Sequence, residues 1–256
     1  MPPLVIITRD GAITTATLNR PAERNALNAA LLDHLAAALA AAERDPKQRI
    51  LVLRGAGRLF CSGLDLAEAV LPGRGEILAT LTADVLRALS TSRLVTIAAV
   101  HGAAIAGGAG LMSACDFAVA TRDAKFGYPE IRRGIVPALI MTFLRRQLHE
   151  RDARELLLLG KLIDASRAHA MGLINRVVAD EAALDAEVRL LASSLLQGAP
   201  EAIAATKQFL AELWPAPLAD DLDHALAHHR TSDHSPEVRE GVAAFHEKRP
   251  PNWAPR

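Results

Sequence analysis

Two short stretches hold the residue types from which chemistry can be built. Residues 105–116 read "IAGGAGLMSACD", with three glycines in four positions and nothing ionisable before Asp116. Residues 60–68 read "FCSGLDLAE", where Asp65 followed by Glu68 has the spacing of a capping box. A helix is therefore expected to begin at Asp65, leaving the backbone N–H of Leu64 free at its mouth. Gly107 and Gly108 are expected at the start of a second helix, where unpaired N–H groups and the helix dipole favour negative charge. Two such donors aimed at one point would stabilise an oxygen that gains charge during a reaction, each contributing about 3 kcal/mol. Tight strand-to-helix packing explains the same glycines equally well. In either case the acid or base must come from elsewhere.

Other glycine motifs fit poorly. Gly108-x-Gly110 is followed by Ser113 where a dinucleotide fingerprint needs its third glycine. Neither a phosphate-binding loop nor a G-x-S-x-G elbow is present.

The elements that would position these loops can be read from periodicity. "LVIITRDGAITTATLNRP" alternates around Asp10-Gly11 like a hairpin, and leucines at 27, 31, 35 and 39 follow helical spacing, with Asn25 or Asn28 as the cap. "RILVLRG", "LVTIAAVHG" and "DFAVAT" read as strands, the first two leading directly into the glycine-bearing loops, with helical segments across 66–92 between them. Strands alternating with helices predict an α/β core with parallel pairing. Beyond Leu139 only "LINRVV" reads as a strand, and helices are expected over 139–149, 152–159, 181–197, 200–213, 217–230 and 236–247.

Composition narrows the partners. The 256 residues are half hydrophobic with a formal net charge of zero, so no global field would draw nucleic acid or an anionic membrane. An anionic ligand must be held by a few local cations. Two cysteines make no disulfide framework in a chain of this length. "MPPLVIITRD" lacks the pattern of a secretion signal, and the apolar runs are too short to span a bilayer, so a cytoplasmic protein is expected.

Together the pieces resemble the enoyl-CoA hydratase/isomerase (crotonase) superfamily. The resemblance runs through "LNRPAERNALN", "GRLFCSGLDL", "VHGAAIAGGAGLMSACDFAVAT", "AKFGYPEIRRGIVPA", "ARELLLLGKLIDASRAHAMGLINRVV" and "EVREGVAAFHEKRPPNW". It implies an α/β fold: a crotonase-like spiral of ββα units over 1–195, with a C-terminal helical trimerisation region over 196–256. It also implies a homo-oligomer, trimer or hexamer, and an acyl-CoA thioester substrate. Coenzyme A is then part of the substrate, with no further cofactor and no metal.

The residues follow from the same motifs. Leu64 and Gly107 match the two oxyanion-hole donors, and Glu130 matches the family's second catalytic glutamate. Arg24, Ala26, Arg58, Ser62, Gly63, Gly108, Arg133 and Lys248 match substrate-binding positions, with Lys248 reaching the nucleotide across a subunit interface. The family's first glutamate is replaced by Gly110. Glu130 alone could still move a double bond from the 3- to the 2-position, or deprotonate water and return the proton to C2. "GGxGL…CD" with "PEIRRGIVPA" resembles the branch acting on methylglutaconyl-type or related branched enoyl-CoAs, which favours hydration. In that branch Arg132 or Arg133 would pair with a distal carboxylate of the substrate. Isomerisation is the alternative, and a non-catalytic CoA-ester-binding subunit a third reading that the retained Glu130 argues against.

The remaining candidates have plainer explanations. His224 and His228 have the i, i+4 spacing of metal ligands, but helix surfaces carry such pairs by chance. His101 is expected to be structural, Cys61 to be packed, Asp65 to cap a helix and Asp116 to begin a strand.

Overall fold

The computed structural model describes residues 2–213, 218–232 and 236–252. The chain opens with a hairpin, β1 (Val5–Asp10) and β2 (Ile13–Leu18), turning at Asp10 and Gly11 as the alternation predicts. Next come α1 (Ala29–Arg44), β3 (Ile50–Gly55), α2 (Leu66–Ala69), α3 (Arg74–Thr91) and β4 (Val95–Val100). Asn28, not Asn25, caps α1, its side chain accepting from the N–H of Leu31 at 2.9 Å. Leu31, Leu35 and Leu39 bury one face of α1, whereas Leu27 precedes the helix and bridges to Leu64.

Beyond β4 the order is β5 (Ala103–Ile105), α4 (Gly107–Ser113), β6 (Phe117–Thr121) and β7 (Lys125–Gly127). There follow α5 (Ala138–Gln147), α6 (Glu150–Leu159), β8 (Ile163–Asp164), α7 (Ala165–Ala170) and β9 (Arg176–Val178). The last helices are α8 (Glu181–Leu196), α9 (Pro200–Glu212), α10 (Leu218–Ser232) and α11 (Pro236–His246).

One sheet runs β1-β2-β3-β4-β6-β9, with every pairing after the hairpin parallel. β3 and β4 are covered on both faces, which is why "ILVLRG" and "VTIAAV" are almost continuously apolar rather than alternating. A second sheet, β5-β7-β8, has strands of two or three residues, too short for any periodicity to betray them. This small sheet positions the chemistry: β5 delivers the chain to Gly107, and β7 delivers it to Glu130.

The C-terminal helices play two roles. α10 packs on α3 and α5, and α11 packs on the short 3-10 helix Pro129–Arg133. α9 buries none of its residues and leaves Phe209 and Leu210 exposed. It is tied to the core by Lys207, whose Nζ donates to the Asp116 carboxylate and to the Leu94 carbonyl, both at 2.6 Å. Asp116 therefore does more than start a strand, since it also accepts from the Thr96 N–H and hydroxyl. Among the described residues no helix is long and apolar enough to cross a membrane.

Candidate active site

The Leu64 donor is set by its neighbour Leu27. The Leu27 N–H donates to the Gly63 carbonyl at 2.8 Å, and the Asp65 N–H donates to the Leu27 carbonyl at 2.9 Å. In a parallel bridge of this kind the intervening residue turns its own N–H away from the partner strand, so Leu64 presents its donor to the far side. Asp65 then caps α2 through the Glu68 N–H and is held by Arg20 at 3.1 Å. The expected capping box is not closed. The Glu68 carboxylate accepts from the Ala29 N–H at 3.2 Å and pairs with Arg74, which ties α2 to α1 and α3 instead.

The Gly107 donor is set by a strained residue. Ala106 has φ 50° and ψ −124°, a conformation costing a non-glycine residue roughly 1–3 kcal/mol. The Ala106 N–H is anchored on the Gly127 carbonyl at 2.8 Å, and the chain then turns so that the Gly110 N–H closes the first helical bond on the Ala106 carbonyl. Gly107 is the first residue of α4, and its N–H meets no acceptor among the described residues.

Glycines bring the two donors together. A Cβ on Gly63, whose φ is +96°, would lie 2.9 Å from the Ala106 Cβ and 3.3 Å from the Gly107 nitrogen. The position a Cβ would take on Gly107 lies 3.6 Å from the Leu64 nitrogen. The two backbone nitrogens therefore lie close together in the lining of one cavity, the proximity an oxyanion hole needs.

Glu130 lines the same cavity from the 3-10 helix Pro129–Arg133. It is 8% exposed, and its Oε2 has no hydrogen-bond partner among the described residues. Burial pushes its carboxyl up to about 7, against the opposing pull of its own backbone N–H and of the Arg133 guanidinium. Near neutral pH it can therefore both take and give a proton. Two residues earlier, Tyr128 is buried with its hydroxyl 3.2 Å from Ser113 Oγ, and burial raises the phenol pKa.

Glu130, Leu64 and Gly107 line one cavity of about 520 Å³, within the usual range for a ligand site. Arg24, Ala26, Ser62 and Arg133 line it as well. Gly63 and Gly108 lie behind the lining as backbone spacers. Arg58 and Lys248 are exposed and do not line the cavity within one chain. Arg133 is only partly exposed, its guanidinium stacks 4.2 Å from the Phe245 ring centre, and its Nε is buried without a partner. Arg132 instead points to the Leu159 carbonyl at 3.2 Å.

Gly110 leaves no opening. The position of a Cβ there is 3.0 Å from Ile140 Cγ1 and 3.8 Å from Leu86 Cδ2, so apolar side chains occupy the space beside it.

Several contributors were not foreseen from the sequence. Asn25 is fully buried, accepts from the Arg20 N–H and donates to the carbonyls of Ala56, Leu59 and Phe60, pinning the loop that leads to Leu64. Its φ is 54°, a conformation asparagine tolerates, and the sequence offered Asn25 only as a cap candidate. Thr82, Ile140, His229 and Phe245 line the cavity from α3, α5, α10 and α11.

Cys61 is buried, donates to the Asn25 carbonyl at 3.2 Å and is pushed up to about 12, so it stays a thiol. His101 is buried with Nε2 2.9 Å from the Gly57 carbonyl. His224 is exposed, and the His228 side chain falls outside the described residues. Among the described residues no cluster of three or more His, Cys, Asp or Glu could hold a metal.

Comparison with known proteins supplies what geometry alone does not. The family model described as enoyl-CoA hydratase/isomerase matches residues 8–256. The 2,3-dehydroadipyl-CoA hydratase of Escherichia coli K12 is 33% identical over 253 residues, 98% of this chain and 99% of that one. Enoyl-CoA hydratase EchA19 of Mycobacterium tuberculosis is 34% identical over 262 residues, 99% of this chain and 97% of that one. The crystal structure of an enoyl-CoA hydratase from Mycobacterium avium superposes with a TM-score of 0.87 at 36% identity, covering 99% of this chain and all of that one.

Proposed function

Because this chain belongs to the enoyl-CoA hydratase/isomerase family, we propose that it adds water to a 2-enoyl-CoA, with Glu130 as the proton-transfer residue. The observation that carries this reading is the buried, unpartnered Glu130 carboxyl in the same cavity as the free N–H groups of Leu64 and Gly107. The thioester oxygen would sit between those two donors. The Glu130 carboxylate takes a proton from water as the water oxygen bonds to C3. The C2–C3 π pair moves through the carbonyl onto the thioester oxygen, where the two N–H groups stabilise the enolate. The enolate then collapses, and C2 takes the proton back from Glu130. The balance is one water added, with no group beyond the thioester required.

The acyl group is proposed to be branched or glutaconyl-type. The sequence branch supports this, as does Arg133, a partly buried cation in the cavity lining whose Nε has no hydrogen-bond partner among the described residues. The relative named for 2,3-dehydroadipyl-CoA, whose unbranched acyl group ends in a carboxylate, supports the terminal carboxylate alone. The region 196–256 is proposed to assemble the oligomer, a trimer or hexamer, through the apolar face that α9 leaves exposed at Phe209 and Leu210.

The test is turnover of a linear 2-enoyl-CoA, a linear 3-enoyl-CoA and a branched glutaconyl-type CoA, with products weighed by mass spectrometry. The expected result is a gain of one water by the 2-enoyl substrates, fastest for the glutaconyl type. A double-bond shift without change of mass would make the enzyme an isomerase. Binding without turnover would make the chain a CoA-ester-binding subunit.

A further inference from the structure

Glu130 can activate water but cannot by itself aim it. A water molecule held by one hydrogen bond swings freely, and attack on C3 needs its lone pair directed at the carbon within a narrow angle. A second contact must come from a different element. The space beside Gly110 cannot supply it, because Ile140 and Leu86 fill that space with carbon.

Three residues in the lining of this cavity each carry a buried polar atom that lacks any partner among the described residues: Glu130 at Oε2, Arg133 at Nε and Thr82 at Oγ1. Glu130 has its role, and Arg133 comes from the same short helix, so it approaches from the same side. Thr82 comes from α3, on the buried stripe formed by Leu78, Thr82 and Leu86. Leu86, one turn further along, is the residue that packs toward Gly110. Thr82 is 4% exposed, and a buried hydroxyl left unpaired carries a desolvation cost. Ser62 also lines the cavity, but it is less buried and follows Arg24 through its backbone bond to that carbonyl at 3.1 Å.

We propose that the Thr82 hydroxyl is the second anchor of the attacking water, holding it from α3 while Glu130 removes its proton. This rests on the hydratase reading above. The threonine exchanges no proton: its oxygen accepts one O–H of the water, the other O–H goes to Glu130, and that proton returns to C2. A carboxylate beside Gly110 is then unnecessary.

Thr82→Val and Thr82→Ser are the variants that test this, with two assays on each. One assay is hydration of the 2-enoyl-CoA that the wild type prefers. The other is exchange of the C2 hydrogen of a saturated acyl-CoA with deuterium oxide, which needs Glu130 and the two N–H donors but no aimed water. Thr82→Val is expected to lower kcat for hydration about tenfold to a hundredfold. KM and C2 exchange should stay within about threefold of wild type, and Thr82→Ser should recover most of the lost hydration. The melting temperature of Thr82→Val should not fall, because the valine removes an unpaired hydroxyl at nearly constant volume. Unchanged hydration in Thr82→Val, a parallel loss of hydration and exchange, or no recovery in Thr82→Ser would each overturn the role of Thr82. A wild type that adds water to no 2-enoyl-CoA would overturn the hydratase reading, and this inference with it.

Discussion

Glu130→Gln is expected to remove hydration almost completely while making the protein more stable. Loss of a positioned general base costs typically about 10²–10⁴ in rate, and no second carboxylate is available beside Gly110 to take over. The stability effect follows from the raised pKa. Burial holds the Glu130 carboxyl at about 7, above its ordinary 4.5, so the folded protein binds the proton more tightly than the unfolded chain. Stability is therefore lost as pH rises from below the unfolded value through the folded one, and above about pH 7 the ionised carboxylate costs about 3 kcal/mol. Glutamine carries no charge and escapes that cost. Thermal melts should show Glu130→Gln equal to wild type near pH 4 and more stable above neutrality. A glutamate retained for stability would give the opposite sign.

Gly108→Ala is expected to separate the two donors and to weaken the fold. A Cβ at that position would lie 2.4 Å from the Cys61 carbonyl oxygen and 2.7 Å from the Cys61 Cβ. Cys61 cannot retreat, because its N–H donates to the Ala103 carbonyl at 3.1 Å and its carbonyl accepts from the Ile105 N–H at 3.0 Å. The methyl must push α4 away from the strand-like segment leading to Leu64. A displacement of about 1 Å in a catalytic group costs roughly 10² in rate, and overpacking costs typically 1–3 kcal/mol. Steady-state kinetics and denaturant unfolding should show both losses together, in contrast to Glu130→Gln, where they diverge.

The parts of this molecule that could be read in advance are those whose residues obey one dominant rule. β3 and β4 announced themselves by buried apolar runs, α1 by its leucine spacing and the α2 start by Asp65. β5, β7 and β8 were invisible because strands of two or three residues carry no period, although they set Gly107 and Glu130 in place. The donors at Leu64 and Gly107 could be inferred from loop-to-helix grammar. Their convergence could not, because it depends on the unusual backbone of Ala106 and on the buried side chain of Asn25, which sequence spacing offered only as a helix cap. Glu68 misled for a related reason: capping-box spacing is local, whereas its carboxylate is claimed by Ala29 and Arg74. Thr82 was hidden in an ordinary helical stripe, and only its unpartnered hydroxyl together with its place in the cavity lining sets it apart.

The central claim is that a single carboxylate performs both proton transfers, and the pH dependence of kcat/KM for hydration tests it most directly. A pair of carboxylates, one ionised and one protonated, gives a bell, whereas one base gives a single rising limb. From about pH 5 to about pH 9 the wild type should show one limb with an apparent pKa near 7, set by burial of Glu130. The residual activity of Glu130→Gln should lack that limb. A bell with a falling carboxylate limb, or a rising limb that persists in Glu130→Gln, would contradict the account.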